Sequence, residues 1–362
     1  MFVIHIGLPK CASAALQEFF SGNAESLRRI GIEYPQEGRQ GRKAHNLIAL
    51  EVLGHRKSDA LLGSITSILS GCRQSGYHSA IISSEALERA DGAAISRLKA
   101  ALTEQEGVIL VFVRELTSLV PSSYAQKVRY GRNLYDFDEF FESRIRETRI
   151  DFFKTVSRWA ATFGWPNMRV RLVHPDHLVN GNIFDEALAI FGVDGADEAC
   201  SELTRPGNVN VSPGWKVLEA VRALYGGKHG LPQKHPLVPI LKSATGRRSD
   251  PGWRVVGNTA AMLGSTRGWN DDRGRYLTLE QARECSVIFK RAVVALNDHL
   301  TDPLPVPPDF NDLAFPAREF LPDHTQIPAQ ELRSFYDELG EVVTNRPINP
   351  SRRNKRRLRR SS

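Results

Sequence analysis

Short apolar runs without polar alternation recur along the first part of the chain, and segments with helical spacing follow them. They occupy residues 2–6, 80–82 and 108–113, and a further strand is predicted at 169–173. Strands of a parallel sheet are covered on both faces, so they read as continuous apolar runs, and strands alternating with helices are typical of α/β proteins. The sequence therefore predicts a three-layer α/β fold, with a central parallel sheet flanked by helices.

The second half of the chain has a different composition, and it predicts helical additions to that sheet. Residues 205–275 contain six prolines, which favours helices joined by long loops. Helical spacing is clear over 278–300 and returns at 330–343, inside the otherwise Pro-rich linker 301–350. We expect residues 1–300 to form one domain, with 205–275 as a helical and loop-rich insertion.

The net charge of the chain is concentrated at one end. The formal charge is +7, from 48 Lys and Arg against 41 Asp and Glu, and the pI is near 9.3. Seven of the basic residues and none of the acidic ones fall within 351–362. The rest of the chain is balanced, so we expect no nucleic-acid binding by the folded body. The tail is expected to be disordered and to offer only weak contacts to anionic partners.

Composition also excludes several protein classes. The apolar runs fall far short of the roughly 20 residues that span a bilayer, and Met1 is followed by a β-like run instead of a secretory signal. We therefore expect a cytoplasmic protein. The four cysteines, Cys11, Cys72, Cys200 and Cys285, form no CxxC pair, which indicates neither a zinc site nor a disulfide framework.

The first predicted strand leads into a loop suited to anions. Gly7-Leu-Pro-Lys10-Cys-Ala-Ser13 stands between strand and helix, where backbone N–H groups and a helix N-terminus face a ligand. Lys10 adds a full positive charge, and Ser13 adds a hydroxyl donor. The loop lacks the GxxxxGK[ST] pattern of nucleotide triphosphatases, so an ordinary kinase or ATPase is disfavoured.

A second anion-binding element follows the strand at 108–113. Arg114 stands at its carboxyl end, and Ser122 lies eight residues on, in the first turns of the next predicted helix. Ligands of open parallel sheets bind at the carboxyl ends of the strands. Two phosphate-sized sites at one edge would suit a 3′,5′-bisphosphorylated nucleoside.

These segments resemble the sulfotransferases that use 3′-phosphoadenosine 5′-phosphosulfate, in particular the bacterial carbohydrate-type members. Residues 5–17 (HIGLPKCASAALQ) are similar to the family's 5′-phosphosulfate loop, usually written near HIGLPKTGTTSLQ. Residues 27–35 (LRRIGIEYP) resemble a stretch common after that loop, and 113–124 resemble the 3′-phosphate motif. Weaker similarities occur at 126–131, at 208–212 and in the predicted helix that ends around Asn297, so the resemblance covers residues 2 to about 300.

The resemblance implies a P-loop-like fold, a bacterial origin, this nucleotide as donor, adenosine 3′,5′-bisphosphate as product, and no metal. The donor-binding residues that it implies are Gly7, Pro9, Lys10, Cys11, Ala12, Ser13, Ala14, Arg114, Ser122, Asn210 and Ser212. The chain departs from the family at 11–14, where Cys-Ala-Ser-Ala replaces Thr-Gly-Thr-Thr. Because alanine carries a Cβ, we expect Ala12 to exclude the positive φ that glycine would allow.

The resemblance further implies transfer of a sulfuryl group to a hydroxyl of a carbohydrate or another small molecule. Lys10 is the expected catalytic cation. Two residues are candidates for the base: Glu85, which follows a predicted strand, and His45, which follows the first helix region. Glu85 is favoured, although it would equally serve as the acid of a helix N-terminus.

The acceptor side is the least specified part of the sequence. His45, Gln126 and Arg129 are the candidate acceptor-binding residues. The insertion at 205–275, in particular 225–275, and the segment 36–56 are expected to shape that side. Two other functions stay open: a catalytically degenerate member that binds a nucleotide or polyanion, and a P-loop kinase-type phosphotransferase.

Overall fold

A computed structural model of the 362-residue chain describes residues 1–41, 43–55, 67, 79–102, 107–147, 151–207, 213–244, 251–310 and 315–345. The predictions for Asn210, Ser212 and the tail 351–362 lie outside the described residues.

The described strands form one five-stranded parallel sheet in the order β2-β3-β1-β4-β5. They are β1 (Phe2–His5), β2 (Ile32–Glu33), β3 (Ser79–Ser83), β4 (Gly107–Val113) and β5 (Met168–Leu172). Every residue of β1, β3 and β4 is buried, as expected for strands covered on both faces. The prediction of an α/β fold built on a parallel sheet is confirmed.

The strand order places β1 at the centre of the sheet, and its carboxyl end lies where a ligand-binding crevice is expected. His5 pairs in register with Ser83 of β3 on one side and with Leu110 of β4 on the other. The chain leaves β1 towards β2 and leaves β3 and β4 in the opposite direction. Such a change of direction opens a ligand-binding crevice beyond the strand ends in open α/β sheets. The loop after β1 lies at this point.

The described residues divide into two compact units. The first takes the described residues of Met1–Ser123, Glu142–Asn210 and Leu277–Ala317, and the second takes those of Tyr124–Phe141, Val211–Tyr276 and Arg318–Ser362.

Thirteen α-helices are described. They are α1 (Ser13–Gly22), α2 (Ala24–Arg29), α3 (Asn46–Val52), α4 (Gly92–Ala101), α5 (Leu116–Arg129), α6 (Phe137–Phe141), α7 (Phe152–Phe163), α8 (Ile183–Ala189), α9 (Trp215–Tyr225), α10 (Leu237–Ala244), α11 (Pro251–Thr266), α12 (Leu279–Asn297) and α13 (Ala329–Asn345). None of the helices in this described part is long and apolar enough to cross a bilayer.

Local sequence signals account for the helices that were predicted most clearly. The helix expected at 278–300 is α12, which begins with a capping box in which Thr278 and Gln281 bond each other's backbone N–H. The helix expected at 330–343 is α13. Both predictions are confirmed, because a sustained apolar face, joined in α12 by a capping box, specifies a helix largely from local sequence.

The second unit contains a buried charge network. Glu219 is fully buried; it accepts hydrogen bonds from the hydroxyls of Tyr124 (3.2 Å) and Tyr276 (3.4 Å) and pairs with Arg222 at 2.7 Å. Arg222 also reaches Asp323 at 2.9 Å. Burial raises the pKa of Glu219, and the Arg222 guanidinium opposes that shift. Since each charge has a partner, the network is a structural element of this unit.

Candidate functional site

The loop between β1 and α1 has an unusual backbone. Three of its residues have positive φ: Gly7 at 88°, Lys10 at 68° and Ala12 at 61°. The expectation that Ala12 excludes a positive φ is therefore wrong. Ala12 occupies the N-cap position of α1, and its carbonyl accepts bonds from the N–H groups of Ala15 and Leu16 at 3.0 and 3.1 Å. These helix-starting bonds hold Ala12 in a conformation that costs about 1–2 kcal/mol for a residue with a Cβ.

The backbone strain at Ala12 leads to a prediction about the free energy of unfolding. Changing Ala12 to glycine should stabilise the protein by about 1 kcal/mol, because glycine adopts positive φ without penalty and is a better N-cap than alanine. Urea denaturation with a constant m-value measures the change. The control is Ala14→Gly in the first turn of α1, where glycine should destabilise by about 0.5–1 kcal/mol. A lower denaturation midpoint for Ala12→Gly would contradict the strained-loop interpretation.

The N-terminus of α1 presents a positive electrostatic end to the loop. Ala12 gives no side-chain cap to the helix, and the first turn contains no acidic residue. Ser13 is buried, and its hydroxyl donates to the carbonyl of Leu8 at 3.3 Å. First-turn N–H groups without a side-chain cap are the part of a helix that binds anions.

Glu85 lies directly against this loop. Because His5 and Ser83 are in register, the ends of β1 and β3 lie side by side, and a Cβ added to Gly7 would fall 2.8 Å from the Cα of Glu85. A side chain at position 7 would thus force the two segments apart. Glu85 opens a short 3₁₀ helix, Glu85–Arg89, whose N-cap is Ser84: its hydroxyl accepts the N–H of Ala86 at 3.3 Å. Ser84 is the N-cap, and Glu85 is an acid in the first turn of this short helix, as the alternative interpretation of Glu85 expected.

Lys10 and Ser13 belong to the electrostatic environment of the Glu85 carboxyl. Burial raises the pKa of Glu85 above its usual range, while a hydrogen bond from the Ser13 hydroxyl and the nearby Lys10 ammonium oppose that shift. An ammonium, a hydroxyl and a carboxyl thus lie together at the crevice. A carboxylate whose pKa is raised by burial is a stronger base than an exposed one.

Arg114 joins the second predicted anion element to the first. Its Nη1 donates to the carbonyl of Lys10 at 3.4 Å, and its Nε donates to the Ser118 hydroxyl at 2.8 Å. The structure therefore brings Lys10 and Arg114 to the same edge of the sheet. Ser122 is half-buried in α5, at the eight-residue spacing noted in the sequence. Ser118, which the sequence reading missed, was detectable as a hydroxyl four residues after the arginine.

His45 is held by backbone groups on both sides of its ring. It is buried; its Nε2 lies 2.9 Å from the carbonyl of Pro35, and its Nδ1 accepts the N–H of Ser83 at 3.1 Å. These partners require a neutral ring with the proton on Nε2. Burial also lowers the pKa of His45 to about 4. Because both nitrogens are engaged, the geometry favours Glu85 over His45 as the base.

His5 lies beneath the loop in a similar buried setting. Its Nδ1 is 2.7 Å from the Ser83 hydroxyl, which also accepts from Gln17 Nε2 at 3.2 Å. Burial lowers the pKa of His5 to about 4, so the ring is neutral at physiological pH. His5, Gln17 and Ser83 therefore link β1, α1 and β3 below the site.

A cleft opens beside Glu85 on the β3 side of the loop. Its volume is about 290 Å³, and five of its eight lining residues have polar side chains. The lining residues are Pro9, Gln40, Asn46, Leu50, Glu85, Ala86, Glu88 and Arg89. Of these, Gln40, Asn46 and Leu50 lie within 36–56, a segment expected to shape the acceptor side, while Glu88 and Arg89 share the short 3₁₀ helix of Glu85 and were not anticipated. A small polar cleft next to a candidate base is suited to a hydroxylated molecule.

The remaining predicted residues fall in different environments. Cys11 is buried, and burial raises the pKa of its thiol to about 12, so it stays protonated and is no nucleophile. Gln126 and Arg129 belong to the second unit, where Gln126 is exposed and Arg129 Nε donates to Asn258 Oδ1 at 3.0 Å. Within the described ranges, no group of three His, Cys, Asp or Glu side chains is arranged to hold a metal ion.

Comparison of the chain with protein-family models, with curated proteins and with solved structures finds no match.

Proposed function

We propose that this protein is a sulfotransferase with a P-loop-like site, which moves a sulfuryl group from 3′-phosphoadenosine 5′-phosphosulfate to a hydroxyl of a carbohydrate or another small molecule. The observation that carries the proposal is the grouping of Lys10, Ser13 and Glu85 at the crevice, with Arg114 bonded to the Lys10 carbonyl. One edge of the sheet thus offers cations for two phosphates and a carboxylate for a proton.

The chemistry is an in-line displacement. The acceptor oxygen forms a bond to sulfur while the bond between sulfur and the 5′-phosphate oxygen breaks, and the electron pair of that bond stays on the phosphate. Lys10 and the first-turn N–H groups of α1 stabilise this growing negative charge. No divalent ion is required by the charge balance, since a sulfuryl group carries less charge than a terminal phosphoryl group.

Glu85 takes the acceptor's proton in this scheme. It lines the polar cleft, so a hydroxyl held there lies within the carboxylate's surroundings. The pKa of Glu85 is raised by burial, which increases its proton affinity relative to an exposed glutamate. Holding acceptor, base and donor in one crevice supplies the orientation that a bimolecular transfer needs.

The first test is binding of the product nucleotide. Adenosine 3′,5′-bisphosphate should bind the wild-type protein, and Arg114→Ala should weaken that binding about 10- to 100-fold, the effect of losing charged hydrogen bonds worth about 1.5–3 kcal/mol. Isothermal titration calorimetry measures both constants. Arg29→Ala is the control, because Arg29 is exposed and paired with Glu202 outside the site. Absence of nucleotide binding by the wild-type protein would refute the donor site.

A degenerate nucleotide-binding protein is the second candidate function. It is favoured by the loss of two hydroxyls, at Cys11 and Ala14, and of one glycine, at Ala12, relative to the resembling family. Tight binding of the bisphosphate without transfer of labelled sulfate to a panel of glycans, phenols and steroids would support this alternative over the enzyme.

A further inference from the structure

The Arg114 side chain is held at two of its nitrogens. Ser118 follows it by four residues, near the start of α5, and its hydroxyl accepts a bond from Arg114 Nε at 2.8 Å. The same hydroxyl donates to the carbonyl of Glu115 at 3.0 Å, so its own rotation is fixed. At the other end of the guanidinium, Nη1 donates to the Lys10 carbonyl at 3.4 Å.

These bonds define the orientation of the whole charged group. The guanidinium is planar and its N–H directions are rigid, so fixing Nε and Nη1 fixes the plane and the direction of the other N–H bonds. A long side chain loses rotamer freedom when it binds a ligand, at a cost of about 1.5–2 kcal/mol for arginine. Ser118 removes part of that cost by ordering the side chain in advance.

We infer that Ser118 is a positioning residue that, through Arg114, sets the selectivity of the site for nucleotides with a 3′-phosphate over the same nucleotides without one. This inference rests on the proposed function, because it takes Arg114 as the 3′-phosphate ligand. In this scheme Ser118 touches neither the reacting atoms nor the 5′-phosphate. A loss of Ser118 should therefore weaken binding of the 3′-phosphate more than binding of the 5′-phosphate.

A merely structural role of Ser118 makes a different prediction. If its hydroxyl served only the first turn of α5 through the Glu115 carbonyl, its removal would lower stability and would change the affinity for both kinds of nucleotide by the same factor. The ratio of the two affinities separates the interpretations, since effects on folding and on the 5′ loop cancel in it.

The experiment measures dissociation constants for adenosine 3′,5′-bisphosphate and adenosine 5′-monophosphate by calorimetry, in the wild-type protein and in Ser118→Ala. We expect the wild-type protein to prefer the bisphosphate and Ser118→Ala to reduce that preference about tenfold, with the monophosphate constant changed less than about twofold. Ser118→Thr keeps the hydroxyl and should keep the preference. Thr117→Ala, on the same helical turn, is the control for helix perturbation.

Each outcome decides between the two proposals. An unchanged ratio in Ser118→Ala, with a wild-type protein that prefers the bisphosphate, overturns the role of Ser118 and leaves the proposed function standing. A wild-type protein that does not prefer the bisphosphate overturns both. If thermal unfolding shows that Ser118→Ala does not fold, Ser118→Cys replaces it, because a thiol fills the same space but is a weak acceptor.

Discussion

Replacing Lys10 by alanine should reduce the rate of sulfuryl transfer about 10²- to 10³-fold, the range found when one stabilising donor is removed from a developing anion. Lys10 lies in the loop at the carboxyl end of β1, and its ammonium lies close enough to influence the Glu85 carboxyl. No other loop residue carries a positive charge that would replace it. Transfer of radiolabelled sulfate from the nucleotide donor at saturating acceptor measures the loss.

The matched control for this variant is Lys290→Ala. Lys290 is on α12, pairs with Asp309 at 2.7 Å, and belongs neither to the Lys10 loop nor to the lining of the cleft, so its removal should leave transfer within about twofold of the wild-type rate. Equal activities of Lys10→Ala and the wild-type protein would exclude Lys10 from the chemistry.

Glu85→Gln should lower turnover about 10²- to 10⁴-fold, the usual contribution of a general base. The amide keeps the size of the side chain but has no proton affinity in the useful range. The pH dependence gives a second readout. Because burial raises the pKa of Glu85, its ionised form is present above that raised pKa, and wild-type turnover should fall as the pH drops through it. The Gln variant should lack this acidic limb.

If His45 were the base, the pH dependence of turnover would be different. If His45 accepted the proton, the acidic limb would lie near pH 4, where burial places the pKa of His45, and it would persist in Glu85→Gln. Stopped assays from pH 4 to pH 9 in a buffer of constant ionic strength distinguish the two profiles. Glu25→Gln is the control, because that carboxylate is exposed on α2 and pairs only across one helical turn with Arg29 among its described contacts.

The two candidate bases show how far sequence alone reaches. Both stood near predicted strand or helix ends, and the sequence favoured Glu85 only through its position at the end of a predicted strand. Contacts across the chain support the same preference: Pro35 and Ser83 occupy the two nitrogens of His45, while Gly7 brings its loop against Glu85. Long-range contacts of this kind have no local signature in the sequence.

Ala12 is a case in which a local conformational preference predicted the wrong backbone angle. Alanine avoids positive φ in an isolated chain, yet here it takes 61° because the start of α1 and the turn through Lys10 require it. The strain is small beside the packing of the buried helix residues Leu16, Phe19 and Phe20.

The sequence by itself determined the class of the fold and the two places where anions are expected. Continuous apolar runs specify buried parallel strands. Arg114 follows one such run directly, and Lys10 follows another after three residues. These patterns of burial and charge lie in neighbouring residues, so the sequence alone shows them. The tertiary structure alone decided the strand order, the approach of Glu85 to Gly7, the bond from Arg114 to the Lys10 carbonyl, and the cleft beside them. These features depend on packing between segments far apart in the chain, where the free energy of burial and not local preference selects the arrangement.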